Sequence, residues 1–241
     1  MAINVNTVYQ TVLMILNKEQ RGYMTPTEFN TVATQVQLEI FEKYFDDLNQ
    51  QLRVPQADTD YADRQENIDE KLAIFKTFGN AIYTTVAGLS YFVLPTSDGY
   101  SDVVSFYRLG NVLYNDEKVV QRLDRREFYY ANQSRLTKPS TINPAYLYEN
   151  QKLFIKPLTI IDKIKVDYVR KPKDAVWGFA PGSLGQYEYQ NVLSTDIELH
   201  VSEQTEVILK ILLYSGIIIR DPQIIQTAAA LVQAEETNKK S

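Results

Sequence analysis

The sequence predicts an α+β fold in which helices from both ends of the chain form one bundle and a β-rich insertion lies between them. Near both ends, apolar residues recur at steps of three or four, which is the spacing of an amphipathic helix. In the middle, short alternating runs are separated by turn residues, as in strands. We therefore expect the helical bundle at 1–80 and 201–241 and the β-rich insertion at 81–200.

The composition excludes several classes of protein. The chain has 241 residues, no cysteine and one histidine, so disulfides, thiolate metal sites and cysteine nucleophiles are excluded. A Ser-His-Asp triad would have to use His200. The apolar stretch 207–219 contains Lys210 and Gly216 and is shorter than the roughly 20 residues of a membrane span. The first residues lack a basic region followed by an apolar core, so we expect no secretory signal.

Residues 4–80 are predicted to be helical. Asn4 is the expected N-cap of the first helix. Thr25 and Glu28 form a capping-box pattern with proline between them at the first helical position, and this pattern opens a long second helix that Pro55 ends. A third apolar stripe follows and predicts a further helix. Its members are Ile68, Leu72, Phe75 and Phe78.

Residues 81–200 are predicted to form strands and loops, with one short helix. Turn residues such as Gly110-Asn111 between apolar runs indicate hairpins. The expected elements are a strand at 90–94, a hairpin of 103–109 with 112–114, a helix opened by Asp124 and Glu127, a hairpin of 145–148 with 152–156, a half-buried strand at 163–170 and a loop at 177–185.

The last part of the chain is predicted to return to helix. Ser202 is the expected cap of a helix that carries Val207, Ile208, Ile211 and Leu212. Asp221-Pro222 is expected to begin a final helix, because proline is favoured at the first helical position. The apolar side of that final helix consists of Ile224, Ile225, Ala228, Leu231 and Val232.

Residues with catalytic or metal-binding potential are better explained by structural roles. His200 stands just before a helix beside Ser202 and Glu203, and neighbours at a strand-to-helix junction are expected to point in different directions. The acidic residues at 58, 60 and 63 lack the tight-turn glycine of a calcium loop. The glycines at 178, 182 and 185 lack the context of a phosphate-binding loop. We therefore expect no catalytic residue, cofactor or metal.

Charge is distributed unevenly along the chain. The balance is −6 over Glu42–Glu70, with nine acidic and three basic residues, and +4 over Lys118–Lys138, with six basic and two acidic residues. Lys152–Lys173 has seven basic and two acidic residues, a balance of +5. Each segment could be an ordinary solvated face. Alternatively, the basic face of one copy meets the acidic face of the next, and such head-to-tail contacts close into rings.

Two segments supply candidate interface residues. Arginines beside tyrosines in the first basic segment suit a protein interface and could also stack on nucleic acid. The apolar side of the final helix supplies the second group. The candidate interface residues are Arg122, Arg125, Arg126, Tyr129, Tyr130, Ile224, Ile225 and Leu231.

Three stretches resemble head-to-tail adaptor and tail-tube proteins of tailed bacteriophages. The first is IKVDYVRKP at 164–172, which is preceded by NPAY at 143–146 and LFIKP at 153–157. The second is DIELH at 196–200, which leads into the tripeptide SEQ at 202–204. The third is GIIIRDP at 216–222. The helix–β–helix plan is similar to that of the adaptor ring below the portal in short-tailed phages, including the crAss-like group.

The resemblance implies a structural virion protein without an active site. It implies a twelve-fold homo-oligomeric ring in the neck, bound to the portal and to tail or further neck proteins, with DNA passing through the centre without sequence recognition. It also implies synthesis in the host cytoplasm and no membrane contact. The alternatives are a head-completion or tail-tube component, a carboxylate-using glycan-active enzyme, or a monomeric sugar- or protein-binding module. The enzyme would need a concave pocket in the β region with two facing carboxylates.

Overall fold

The computed structural model has both helices and strands and divides into two compact units, which confirms the α+β class and the β-rich middle. Unit 1 consists of Met1–Ile74 and Pro172–Ser241, and unit 2 of Phe75–Lys171. The structure describes residues 2–18, 23–51, 60–95, 106–183, 185–219, 226–227 and 229–234.

The described part of unit 1 includes four named helices, which come from both ends of the chain. Two of them, at 5–18 and 26–51, contact the helix at 204–219, so the two ends form one bundle. Residues 226–227 and 229–234 are also helical. The named helices are α1 (Val5–Lys18), α2 (Pro26–Gln51), α3 (Asp60–Ala73), α4 (Arg125–Gln133, in unit 2) and α5 (Gln204–Ile219). Fully buried side chains of the bundle include Val8, Val12, Leu16, Phe29, Val36, Ile40, Val207 and Ile211.

The first two helices begin where the sequence predicts. The Thr7 backbone N–H donates to Asn4 Oδ1 at 3.0 Å. At α2, the Glu28 N–H donates to Thr25 Oγ1 at 3.3 Å, and the Thr25 N–H donates to Glu28 Oε2 at 2.9 Å. This reciprocal pair is a capping box, and its hydrogen bonds hold the pKa of Glu28 below its usual value. The predicted end of α2 at Pro55 lies outside the described residues.

The described residues of unit 2 form two β-sheets whose side chains share one apolar core. Its strands are β1 (Lys76–Asn80), β2 (Ile82–Val86), β3 (Leu89–Val93), β4 (Phe106–Tyr114), β5 (Lys118–Val119), β6 (Gln121–Arg122), β7 (Ala145–Glu149), β8 (Lys152–Lys156) and β9 (Ile164–Arg170). One sheet has the order β1-β9-β4-β5 and the other β2-β3-β8-β7-β6. The core includes Phe92, Val112, Tyr146, Leu153, Ile155, Ile164 and Val166.

Three strand predictions in this unit are confirmed. β3 ends shortly before Pro95, and β7 and β8 form the expected antiparallel hairpin, with Asn150 and Gln151 at its turn with φ of 50° and 57°. Positive φ at both turn positions is the conformation that matches the twist of two-residue hairpins. β9 alternates as predicted, with Ile164 and Val166 facing the core.

Two predictions about local structure are wrong. The third helix ends at Ala73, and Phe75 and Phe78 do not continue it, because residues 76–80 pair with β9 as strand β1. Phe78 is 74% exposed there. Gly110-Asn111 is not a hairpin turn: β4 runs straight through it, and the register against β9 shifts between Leu109 and Val112, which is a β-bulge.

The return segment after β9 belongs to unit 1, so the domain boundaries fall near 74 and 171 rather than at 80 and 200. Amide side chains of α2 bind this segment. Gln37 Nε2 donates to the Lys173 carbonyl at 2.6 Å, and Gln37 Oε1 accepts from the Glu198 N–H at 2.9 Å. The predicted loop at 177–185 also contains a strand. The two strands of this segment are β10 (Phe179–Pro181) and β11 (Tyr187–Tyr189), which pair with each other.

Buried charges in the bundle are paired. Glu203 and Glu206 are each 2% exposed. Lys71 Nζ lies 2.5 Å from Glu203 Oε1, and Lys43 Nζ lies 3.1 Å from Glu206 Oε1. An isolated buried carboxylate is strongly unfavourable. The packing of α3 and α5 onto α2 therefore requires these lysines, which neutralise the two glutamates.

The Thr25 cap leads to a test of stability. Thr25→Ala removes the side-chain acceptor for the Glu28 N–H and should lower the free energy of unfolding by about 1 kcal/mol, as N-cap losses usually do. Urea denaturation followed by circular dichroism measures this change. Thr31→Ala is the matched control, because Thr31 is an exposed threonine within α2 that caps nothing. An equal loss in both variants would contradict the capping role.

Tyr44 leads to a second test. Its hydroxyl is buried and has no hydrogen-bond partner among the described residues, so Tyr44→Phe should raise the free energy of unfolding by about 1 kcal/mol. Tyr9→Phe is the control and should lower it by a similar amount, about 1 kcal/mol, because the Tyr9 hydroxyl donates to the Met24 carbonyl at 3.2 Å.

The Tyr44→Phe variant also has an expected pH dependence. Burial raises the pKa of Tyr44, so the folded protein keeps this phenol neutral. The unfolded chain releases the proton at about pH 10, so the free energy of unfolding falls as pH rises above that value. Denaturation of Tyr44→Phe at increasing alkaline pH should show a shallower decline than the unmodified protein. Parallel declines would exclude this contribution of Tyr44.

Candidate assembly surface

Five of the predicted interface residues lie close together in unit 2. Arg122 is on β6, and α4, which follows two residues later, carries the other four. The two tyrosines, Tyr129 and Tyr130, are 56% and 61% exposed. The Arg126 guanidinium carbon lies 5.7 Å from the centre of the Tyr130 ring, which is within cation–π range. We call these residues the α4 surface: Arg122, Arg125, Arg126, Tyr129 and Tyr130.

Local sequence explains why α4 presents these side chains. Asp124 and Glu127 form the predicted capping box, and Glu127 Oε2 accepts from the Asp124 N–H at 3.5 Å. Phe128 is 5% exposed and is the buried residue of the helix, which contacts β7. A single buried anchor leaves most of the remaining positions of a nine-residue helix exposed to solvent, Ala131 and Asn132 being partly buried. The α4 surface is therefore a consequence of a short helix lying on the outside of its sheet.

Among the described residues, no strong ion pair holds the arginines of the α4 surface. Arg125 Nε lies 3.7 Å from Glu149 Oε1, and the two side chains are 71% and 38% exposed. Exposed pairs of this kind contribute little to stability. Arg122 affects the sheet beneath: burial raises the pKa of Tyr146 and Tyr148, and the positive charge of Arg122 opposes that shift. These arginines therefore remain available to an external acidic or aromatic group.

The second predicted segment is described only at Leu231. Leu231 lies in the helical residues 229–234 of unit 1 and is 49% exposed. Ile224, Ile225 and the predicted helix start at Asp221-Pro222 lie outside the described residues. The interface role of this segment stays a prediction.

His200 caps a helix, as its predicted structural role requires. Its ring Nδ1 accepts from the Ser202 N–H at 3.3 Å. This hydrogen bond caps a 3-10 turn, Val201–Glu203, that leads into α5. The prediction that Ser202 is the cap is therefore wrong. The expected divergence of neighbouring side chains is also wrong, because the turn brings Ser202 Oγ to 2.9 Å from Nδ1. Glu203 Oε1 accepts from Lys71 Nζ at 2.5 Å and from Ser202 Oγ at 3.5 Å, so the hydrogen bonds of these residues hold the start of the helix together.

A groove of about 600 Å³ in unit 2 is lined by two carboxylates, the residue type that the glycan-active alternative requires in facing positions. Asp116 and Asp162 line it together with Lys163 and Lys165. Lys165 Nζ lies 2.7 Å from Asp116 Oδ1, and the Asp116 side chain is 61% exposed. Asp162 is exposed as well. The groove therefore has the residue types of that alternative, which stays a prediction.

An aromatic cavity of about 360 Å³ lies in unit 1. Tyr9, Tyr23, Trp177 and Tyr187 line it, and Trp177 is fixed because its Nε1–H donates to Asn6 Oδ1 at 3.0 Å. Sequence reasoning missed this cavity, since its residues come from two regions far apart in the chain, 9–23 and 177–187. The Asn115-Asp116 turn of the groove was also missed. Its two residues have positive φ angles of 56° and 59°. Asn and Asp tolerate this conformation, so the Asn-Asp pair is itself a turn signal in the sequence.

No protein-family model matches this chain, and no curated protein matches it. Among the residues that the structure describes, none of the helices is both long and apolar enough to span a bilayer. Over the same residues, no group of three or more histidine, aspartate or glutamate side chains is arranged to hold a metal ion. Of the acidic positions 58, 60 and 63, the first lies outside the described residues, and the other two lie in the first turn of α3.

Proposed function

We propose that this chain is a structural virion protein, a ring-forming adaptor that joins the portal to the tail of a short-tailed bacteriophage and surrounds the DNA channel. The sequence resemblance over residues 143–222 and the helix–β–helix plan support the proposal. The partners are other copies of the chain, the portal, and tail or further neck proteins. Its location is the neck of the virion.

Charge separation between the two units is the observation on which the proposal mainly rests. Unit 1 has 11 basic and 21 acidic residues, a net charge of −10, and unit 2 has 14 basic and 9 acidic residues, a net charge of +5. Identical copies with opposite charges on two units attract each other when unlike units face. Such a contact uses two different surfaces of each copy, and repeating it gives a closed ring or a filament. The α4 surface lies on the positive unit.

The central test is whether the chain assembles. The full chain is measured by light scattering after size exclusion and by negative-stain microscopy, alone and after mixing with purified portal complexes. We expect annular particles in at least one condition, with a mass that is a multiple of the 27.8 kDa chain. A monomer in both conditions would contradict the adaptor function.

A charge-reversal variant tests the α4 surface. Arg125→Glu with Arg126→Glu should weaken assembly about fivefold, which corresponds to roughly 1 kcal/mol for two exposed ion pairs. The effect should be larger at low salt, where screening is weak. The measurement is the amount of folded variant recovered on portal complexes over a series of salt concentrations.

The matched control makes the same change in charge elsewhere on unit 2. Lys163→Glu with Lys171→Glu also reverses two exposed basic residues. If the α4 surface is an interface, this control should assemble better than the arginine variant. Equal recovery of the two variants would assign the effect to the net charge of unit 2 and remove the α4 surface from the interface.

A further inference from the structure

Strand β2 forms an edge of the five-stranded sheet of unit 2, and its sequence lacks the usual protection of an edge. Among the described residues it pairs only with β3, in a regular register from Ile82 opposite Val93 to Val86 opposite Leu89. Its sequence is Ile-Tyr-Thr-Thr-Val, without charge, proline or glycine. Natural proteins usually protect such edges with lysine, proline or a bulge, because an open edge pairs with another strand.

Apolar side chains lie beside this edge on one face of the sheet. The register of β2 with β3 places Ile82, Val86 and Leu89 on the same face, together with Val93. These side chains are 59%, 54%, 64% and 36% exposed, respectively. An exposed apolar row next to an unprotected edge is a feature of a protein interface. A strand added at β2 would lie beside Ile82 and Val86 of this row and hydrogen-bond the edge at the same time.

A second copy of this chain contains a strand that fits the β2 edge. Among the described residues of unit 1, the strands are β10 and β11. β10 includes Pro181, which has no N–H to donate. β11 pairs with β10, carries the acidic residue Glu188, and has Tyr187 45% exposed. A two-stranded ribbon is marginally stable by itself, so an added neighbour would stabilise it.

We propose that β2 of one copy pairs with β11 of the next copy, which extends the five-stranded sheet across the boundary between subunits. This inference rests on the proposed ring assembly. The pairing brings a unit of charge +5 against a unit of charge −10. Symmetric pairing of β2 with β2 would instead bring two positive units together. Each copy pairs through β2 with one neighbour and through β11 with the other, so the contact is head-to-tail and repeats around the ring.

Cysteine cross-linking tests the pairing directly, because the chain has no cysteine of its own. One preparation carries Thr84→Cys and the other carries Glu188→Cys. Residues on neighbouring strands lie within the Cα separation of about 4.4–6.8 Å that a disulfide requires. Oxidation of the mixture, in the state that assembles, should give a disulfide-linked dimer that neither preparation gives alone. Thr85→Cys samples the opposite face of β2 and covers a shifted register.

A chain with both Thr84→Cys and Glu188→Cys should give a ladder of covalent oligomers. Leu136→Cys, mixed with Glu188→Cys, is the control for random collision, since Leu136 is 97% exposed on unit 2. Its cross-linked fraction should be far below that of the β2 variants. Equal fractions would overturn the inference.

The remaining outcomes separate this inference from the proposed function. Annular particles without a link from either β2 position to Glu188 would overturn the β2–β11 pairing and leave the adaptor function standing. A dimer from Thr84→Cys alone would overturn it in favour of symmetric β2–β2 pairing. A chain that stays monomeric, with and without portal, would overturn both proposals.

Discussion

Buried amide groups on α2 fix the path of the chain after it leaves the β-rich unit. Gln37 is 1% exposed and bonds to the backbone at two places, Lys173 and Glu198. Asn30 Oδ1 accepts from the Trp177 N–H at 2.7 Å. A segment with little regular structure contains backbone groups that need partners when they are buried. Because α2 supplies those partners, the return segment becomes part of the bundle. The position of Trp177 in the aromatic cavity therefore depends on this helix.

The paired charges of the bundle interior have a related consequence. Glu203 and Glu206 are neutralised by lysines from α2 and α3, so these two acidic residues add little to the field outside the protein. The external field of unit 1 therefore comes from its exposed carboxylates. A stable interior and an acidic exterior are compatible because different residues supply them.

Sequence reasoning succeeded where the determining interactions are local. Both capping boxes, at Thr25 and Asp124, are contained within four residues, and the hairpin of β7 and β8 is fixed by its own turn. It failed where a distant partner decides. The spacing of Phe75 and Phe78 fits a helix, and only pairing with β9 makes this stretch a strand. Gly110-Asn111 suits a turn and a bulge equally, and β9 again decides.

The same distinction applies to the candidate sites. The α4 surface could be predicted because its residues are neighbours in sequence. The groove with Asp116 and Asp162 and the aromatic cavity around Trp177 could not, since the fold assembles each from separate segments. The open edge at β2 was also hidden, because an edge is defined by the order of strands in a sheet.

The pairing of β1 with β9 also affects how the bundle forms. Lys76 lies opposite Val169, and the Arg170 N–H donates to the Phe75 carbonyl at 3.0 Å. The two points at which the chain passes between units are therefore adjacent. Closing a loop costs entropy that rises with the logarithm of its length. Unit 2 separates the two halves of the bundle in the chain, so bringing these halves together before unit 2 has folded would close a long loop. Once the β-rich unit has folded, that loop has the effective length of a short turn, and insertions within the unit leave closure of the bundle unaffected.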